Sequence, residues 1–173
     1  MGRKLLAAGQ LAEALSHYHS AVDGDPKNYL TYYKRAAVYL AMGKFKSAIP
    51  DLSKAIGLKP DFMAARLQRG NILLKQGDMQ EAMEDFQAVL HSSPTNQEAQ
   101  NQLERVQEVE GDVQEAWAAF EKKDYTAAIA LLEKVIEVSP WDPSARELRA
   151  ECYFEVVTSV KLCKTSKTHH KAS

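Results

Sequence analysis

Cysteine is nearly absent from the chain. Its two residues, Cys152 and Cys163, are too few for a disulfide framework and form no Cys-x-x-Cys or Cys/His spacing. They therefore say little about compartment. No apolar run approaches the length that crosses a bilayer. Charge of one sign is lacking as well: 22 Lys and Arg face 23 Asp and Glu. That balance argues against nucleic acid or a membrane surface as the main partner. There is no Gly-rich phosphate loop, no nucleophile elbow and no convergent polar constellation, so no catalytic residue, cofactor or metal is expected. The basic start Met1-Gly-Arg-Lys is followed only by Leu5-Leu6-Ala7-Ala8, too short for a secretory signal. Expressed as given, the chain reads as cytoplasmic.

What the chain has is a repeat. Met63 to Asn96 reads as two short helices, Arg66 to Gln76 and Gln80 to His91, broken at Gly77-Asp78 and stopped at Pro94. Gly9, Gly43 and Gly77 fall 34 residues apart, as do Ala14, Ala48 and Ala82. Tyr18, Leu52 and Phe86 follow at the same interval, as do Ala21, Ala55 and Val89, and Pro26, Pro60 and Pro94 close each unit. Gly permits the tight turn, Ala lets helices approach, the aromatic or Leu fills the gap, and Pro ends the second helix. A helix-turn-helix of this period is the tetratricopeptide pattern. The predicted fold is all-α, a superhelix of antiparallel helix pairs.

Taken in order, the first unit, Met1 to Asn28, lacks the front of its first helix but keeps Gly2 and Leu5 at packing positions and Gly9 at its turn. Met1 falls at about the seventh position of the unit, so the chain reads as a piece of, or an alternative start within, a longer protein. The second unit, Tyr29 to Phe62, is complete, and Pro50 near the start of its second helix predicts a short or kinked first turn. After Asn96 the period breaks. Ala82 to Ala128 is 46 residues, one period plus 12. The insertion Gln97 to Glu108 lacks Pro and Gly and carries one apolar stripe: Ala99, Leu103, Val106, Val109, Val113, Ala116 or Trp117, and Phe120. That predicts one long helix, longer by about 18 Å and turned by roughly a third of a revolution, joining two subdomains. The domain reading is 1–96 for three repeats, 97–123 for the connecting helix, 124–155 for the rest of a fourth repeat and the first helix of a fifth, and 156–173 for a basic, disordered tail.

Beyond the repeat, RKLLAAGQLAEALSHYHSAVDGDPKNY, YLAMGKFKSAIPDLSKAI, ARLQRGNILLKQGDMQEAMEDF, DYTAAIALLEKVIEV and RELRAECYF resemble the N-terminal repeats of the J-domain co-chaperones of the endoplasmic reticulum lumen. The resemblance runs from residue 2 to about 154, insertion included. It implies repeats that bind unfolded clients, as part of the unfolded protein response, and a J domain that passes the clients to the lumenal seventy-kilodalton chaperone. Inhibition of an eIF2-alpha kinase is also attributed to the family. The chain carries no His-Pro-Asp tripeptide and no J domain, so stimulation of a partner ATPase is not implied. Lumenal residence follows from the resemblance only if a precursor carries a signal.

In such repeats the first helices line a concave face through positions 2, 5, 6, 9, 12 and 13. In the second unit these are Leu30, Tyr33, Lys34, Ala37, Leu40 and Ala41; in the third, Ala64, Leu67, Gln68, Asn71, Leu74 and Lys75. The set is substantially apolar where a solvated surface is normally charged. Leu30, Tyr33, Ala37, Leu40, Leu67, Asn71 and Leu74 are the candidate client groove, with Leu40 and Leu74 fitting equally a place between repeats. Tetratricopeptide domains that grip an acidic Glu-Glu-Val-Asp tail use a clamp of cations, and the corresponding positions here hold Arg3, Lys34, Ala64 and Gln68. A carboxylate needs several charge-assisted donors, so this clamp is broken. His17 and His19 are two apart and point different ways, and His169-His170 is too short for a metal tract. Glu81, Glu84 and Asp85 read as a solvated acidic face. Trp117 is expected buried on the long helix, Trp141 over the junction of units four and five, Cys152 in the core and Cys163 free in the tail.

Overall fold

The computed structural model describes the backbone of residues 2–171 and the side chains of residues 7–164. Its described residues form eight α-helices and no strand: α1 (Gly2–Gly24), α2 (Tyr29–Ala41), α3 (Phe45–Leu58), α4 (Met63–Gln76), α5 (Met79–Ser92), α6 (Gln97–Glu121), α7 (Tyr125–Val138) and α8 (Pro143–Lys171). Side-chain caps start four of them. Asn28, Asn96, Asp124 and Asp142 accept from the backbone N–H of Leu30, Ala99, Ala127 and Ser144 at 2.9 to 3.2 Å, satisfying donors that a helix start leaves open.

The turns are set by backbone handedness. Gly43 and Gly77 take φ of +75° and +85° to fold α2 onto α3 and α4 onto α5, and Lys123, 46 residues after Gly77, does the same at +64°. Gly9 behaves otherwise. It lies inside α1 with no turn, correcting the expected break there. Glycine permits a left-handed turn without requiring one, and here Gly9 keeps the hydrogen-bonded spiral of α1. Position 157, 34 after Lys123, is the next place for a turn. It holds Val, whose β-branch resists left-handed backbone, and α8 runs on to Lys171. Residues 156–171 of the basic tail, expected to be disordered, are thus helical in the backbone. Its sequence has neither Pro nor Gly to stop the helix.

Two further boundaries differ from expectation. α4 starts at Met63, before Arg66, and α3 starts five residues ahead of Pro50. Pro50 and Lys46, whose carbonyl loses its i+4 partner, are both exposed, so the lost bond lies on the water side where its cost is least. The side chains of Gly2, Arg3, Leu5, His169 and His170 lie outside the described residues.

The chain divides into two compact units, Met1–Leu73 with Gln80–Leu103, and Leu74–Met79 with Glu104–Ser173. α6 is continuous across the division and, at 25 residues, is the predicted long helix. In the first unit Ala36, Ala48, Leu52, Ala55, Ala65, Ala82, Phe86, Val89 and Ala99 are buried. Each large member stabilises by about 1.5 to 3 kcal/mol on burial. Gly70 makes the contact between α4 and α5 close: a Cβ there would stand 2.8 Å from the Phe86 ring. Arg69 spans α5 and α3, donating to both oxygens of Asp85 at 2.8 and 2.7 Å and to the Ser53 hydroxyl at 3.2 Å. Arg35 does the same between Asp51, at 2.7 Å twice, and His19 Nδ1 at 3.2 Å. Asp85 is therefore a buried ion-pair partner and not part of a solvated acidic face; Glu81 and Glu84 beside it are exposed.

The second unit is built on Val109 and Ala116 of α6, Ala128, Leu132 and Val135 of α7, and Ala145, Leu148 and Cys152 of α8. Here Ala116 takes the core position and Trp117 is 50 % exposed, correcting the expectation that Trp117 is buried. Ala116 lies 46 residues after Gly70, in the column where the first helix of each pair touches the second and only a small side chain fits; Trp117 is turned about 100° away. Trp141 is half-buried in the loop between α7 and α8, its backbone N–H donating to the Lys75 carbonyl at 2.9 Å. Beside it the Ser139 hydroxyl donates to the Leu74 carbonyl at 2.6 Å.

Candidate functional site

The predicted groove residues lie on α2 and α4. Leu30, in the first turn of α2, is 40 % exposed. One turn on, Tyr33 is half-buried, its ring meeting Phe62 edge to face at 4.9 Å. Tyr29 also meets Phe62 edge to face, at 5.2 Å, and the Lys59 ammonium lies 4.7 Å from the Tyr29 ring centre and donates to its hydroxyl at 3.1 Å. That hydrogen bond raises the Lys59 pKa above the usual lysine value. An aromatic platform with a cation at its edge thus stands beside the predicted positions.

Ala37 is exposed and Leu40 half-buried. With Tyr33 and Gln68 they line a small dent of about 20 Å³ floored by Leu52. Tyr33, Ala37 and Leu40 are therefore brought together, and α4 reaches them through Gln68. Leu67 is half-buried on α4. Asn71 is committed to α6, donating to Glu98 at 3.3 Å and accepting from Gln102 at 2.7 Å. Leu74 is 2 % exposed and belongs to the packed interior, so it is removed from the groove. Its place near the α4 to α5 turn puts it under the Ser139 hydrogen bond.

At the clamp positions Lys34, Ala64 and Gln68 are exposed. Only Lys34 of these three brings charge. Lys34 and Gln68, with Lys59 at the Tyr29 ring, are polar groups beside the apolar positions. Among the described residues no group of three His, Cys, Asp or Glu side chains is placed to hold a metal ion. No described helix is long and apolar enough to cross a membrane.

One contributor escaped the sequence reading. Phe62 was assigned only to the end of the second unit, yet it backs both Tyr29 and Tyr33.

Family models described as tetratricopeptide repeat match residues 33–97 and 113–155, and residues 5–49. The chain is 58 % identical over 158 residues to DnaJ homolog subfamily C member 3 of Bos taurus and to that of Homo sapiens, covering 90 % of this chain and 31 % of each relative. It thus spans about a third of the length of the curated relatives it matches. The crystal structure of the P58(IPK) TPR domain superposes with a TM-score of 0.80 at 58 % identity, covering 89 % of this chain and 44 % of that one. The first TPR domain of Spaghetti (RPAP3), bound to the HSP90 peptide SRMEEVD, superposes at 0.56 with 30 % identity, covering 64 % of this chain and 87 % of that one.

Proposed function

Because the chain belongs to the tetratricopeptide-repeat family, a family of protein-interaction modules, we propose that it holds unfolded or extended polypeptide against the apolar face of α2 and α4. The observation that supports this most directly is the exposed or half-buried set Leu30, Tyr33, Ala37, Leu40 and Leu67. Asn71 contributes at the edge as a hydrogen-bonded bracket to α6. Ala64 and Gln68 leave the face without the cations that an acidic tail requires, so a Glu-Glu-Val-Asp peptide such as the one on the RPAP3 domain is not its ligand.

The likeness to DnaJ homolog subfamily C member 3 supports a more particular setting: the client-holding part of a co-chaperone of the endoplasmic reticulum, acting in the unfolded protein response. Contact with the lumenal seventy-kilodalton chaperone then runs through a J domain outside this chain. Removing apolar contact while adding charge tests the reading. Tyr33→Glu with Leu67→Glu changes two half-buried positions and is expected to weaken capture of a denatured model client more than tenfold while the circular dichroism stays that of the parent. Undiminished capture by a folded variant contradicts it. The same pull-down, run with a native eIF2-alpha kinase domain, tests the other activity that the resemblance implies; preferential capture of the folded kinase would replace client holding with kinase regulation.

A further inference from the structure

We infer that α6 and α8 of the second compact unit form a docking face of their own, whose occupant is an extended basic polypeptide segment with a Lys or Arg side chain laid on Trp117. The column positions of the first helices carry over. Counted from Val109, 46 residues after Met63, and from Pro143, 34 further on, positions 2, 5, 6, 9, 12 and 13 fall within 110–121 of α6 and 144–155 of α8. Lys123, at the turn position of this frame, has the left-handed backbone of Gly77. Val109 and Ala116 of α6 share one core with Leu148 and Cys152 of α8.

Trp117 stands at position 9 of α6 and is 50 % exposed. Its ring meets Phe120 edge to face at 5.9 Å, and Phe120 meets Tyr125 at 5.7 Å. Half-burial raises the Tyr125 phenol above its usual pKa and the Glu155 carboxylate adds to it, so the row that starts at Trp117 ends beside Glu155. A tryptophan bounded by carboxylates is an arrangement that holds an ammonium or guanidinium. Trp141 already has one, the Lys75 ammonium lying 5.3 Å from its ring centre. Among the described residues no cation stands over Trp117.

Charge selects the occupant. The same positions of α2 and α4 hold Lys34 and Lys75 and no acid; those of α6 and α8 hold Glu110, Glu121, Glu147, Glu151 and Glu155 and no cation. Lys122, Arg146 and Arg149 are close in sequence but sit about 140° or more around their helices from the middle of the face. Among the described residues none of the five glutamates is in an ion pair. Glu147, Glu151 and Glu155 follow at intervals of four, so three like charges repel along one stripe of α8, and bound cations relieve them. Residues four apart on a helix are about 6 Å apart along its axis. Alternate side chains of an extended strand are spaced by about 7 Å, so an extended segment with basic residues at every second position matches the stripe.

The whole chain and a labelled peptide of alternating Lys and Leu, read by fluorescence anisotropy, test the proposal. Saturable binding is expected, and acetylating the lysines is expected to weaken it more than tenfold. Trp117→Leu, which keeps every charge, is expected to weaken it more than fivefold, and Glu151→Gln with Glu155→Gln more than tenfold, each with the circular dichroism of the parent. Glu133→Gln with Glu137→Gln, the same charge change at exposed positions of α7, is expected to leave binding unchanged. Tyr33→Glu with Leu67→Glu, which blocks the α2 and α4 face, is expected not to weaken it, so failure of client holding there and failure here are told apart. Absence of saturable binding, undiminished binding of the acetylated peptide, or full affinity in Trp117→Leu or in the Glu151 and Glu155 variant overturns the proposal. So does an equal loss in the α7 variant, or a loss in the Tyr33 and Leu67 variant.

Discussion

Arg69 repeats, 34 residues on, the contacts of Arg35: each reaches forward 16 residues to a buried aspartate and back 16 residues to the preceding helix. The Asp85 carboxylate, 2 % exposed, holds the Arg69 guanidinium above its usual pKa, against the opposing effect of burial. Removing one partner strands the other. Asp85→Ala is expected to lower stability by about 2 to 4 kcal/mol, moderated because Arg69 keeps access to water. Arg69→Met with Asp85→Leu is expected to lie closer to the parent, since no buried charge is left alone. Urea unfolding followed by circular dichroism reads both.

The glycine column predicts effects of opposite sign. Gly9 is helical with open space at its Cβ, so Gly9→Ala is expected to stabilise by about 0.5 to 1 kcal/mol. Gly43→Ala meets only backbone strain at φ +75°, and about 1 to 2 kcal/mol of destabilisation is expected. Gly77→Ala adds a collision with Asp142, whose side-chain atoms stand 2.5 Å from the new Cβ, and is expected to be the most damaging of the three. Thermal unfolding of the three variants sets the order.

Cys152 is buried and Cys163 exposed. Burial pushes the Cys152 thiol up, and the charge of Glu151 adds to it. With a disulfide reagent at mildly alkaline pH, one thiol is expected to react promptly and the second only on unfolding. Because the folded state holds the Cys152 proton more tightly than the unfolded chain does, this contribution to stability is present below the ordinary thiol range. It is lost as pH rises through the raised value. Cys152→Ala is expected to flatten that alkaline decline, as measured by unfolding midpoints across the pH range.

The helix pairs were legible because Ala48, Ala82 and Ala128, with Leu52, Phe86 and Leu132, keep small and large side chains in fixed columns, and packing needs those sizes. The loop brackets were not. The carbonyls of Pro26, Pro60, Pro94 and Pro140 are each bonded by the side chain six residues later, but the donors are Tyr32, Arg66, Gln100 and Arg146, which share reach and a polar hydrogen and no residue type. Gly9 misled because glycine permits a turn without requiring one. Leu74 misled because an apolar residue at a groove position serves packing equally well, and depth decides. Trp117 misled because a neighbouring alanine filled the crowded column.

The central claim is that the α2 and α4 face receives extended polypeptide, and crosslinking from one exposed position tests it most directly. A photoreactive phenylalanine replaces Ala37 in one preparation and Lys54, exposed on α3, in another. With a denatured model client in solution, position 37 is expected to give a strong crosslink that excess client competes away, and position 54 little. Equal yields from the two positions, or a stronger one from position 54, would contradict the account.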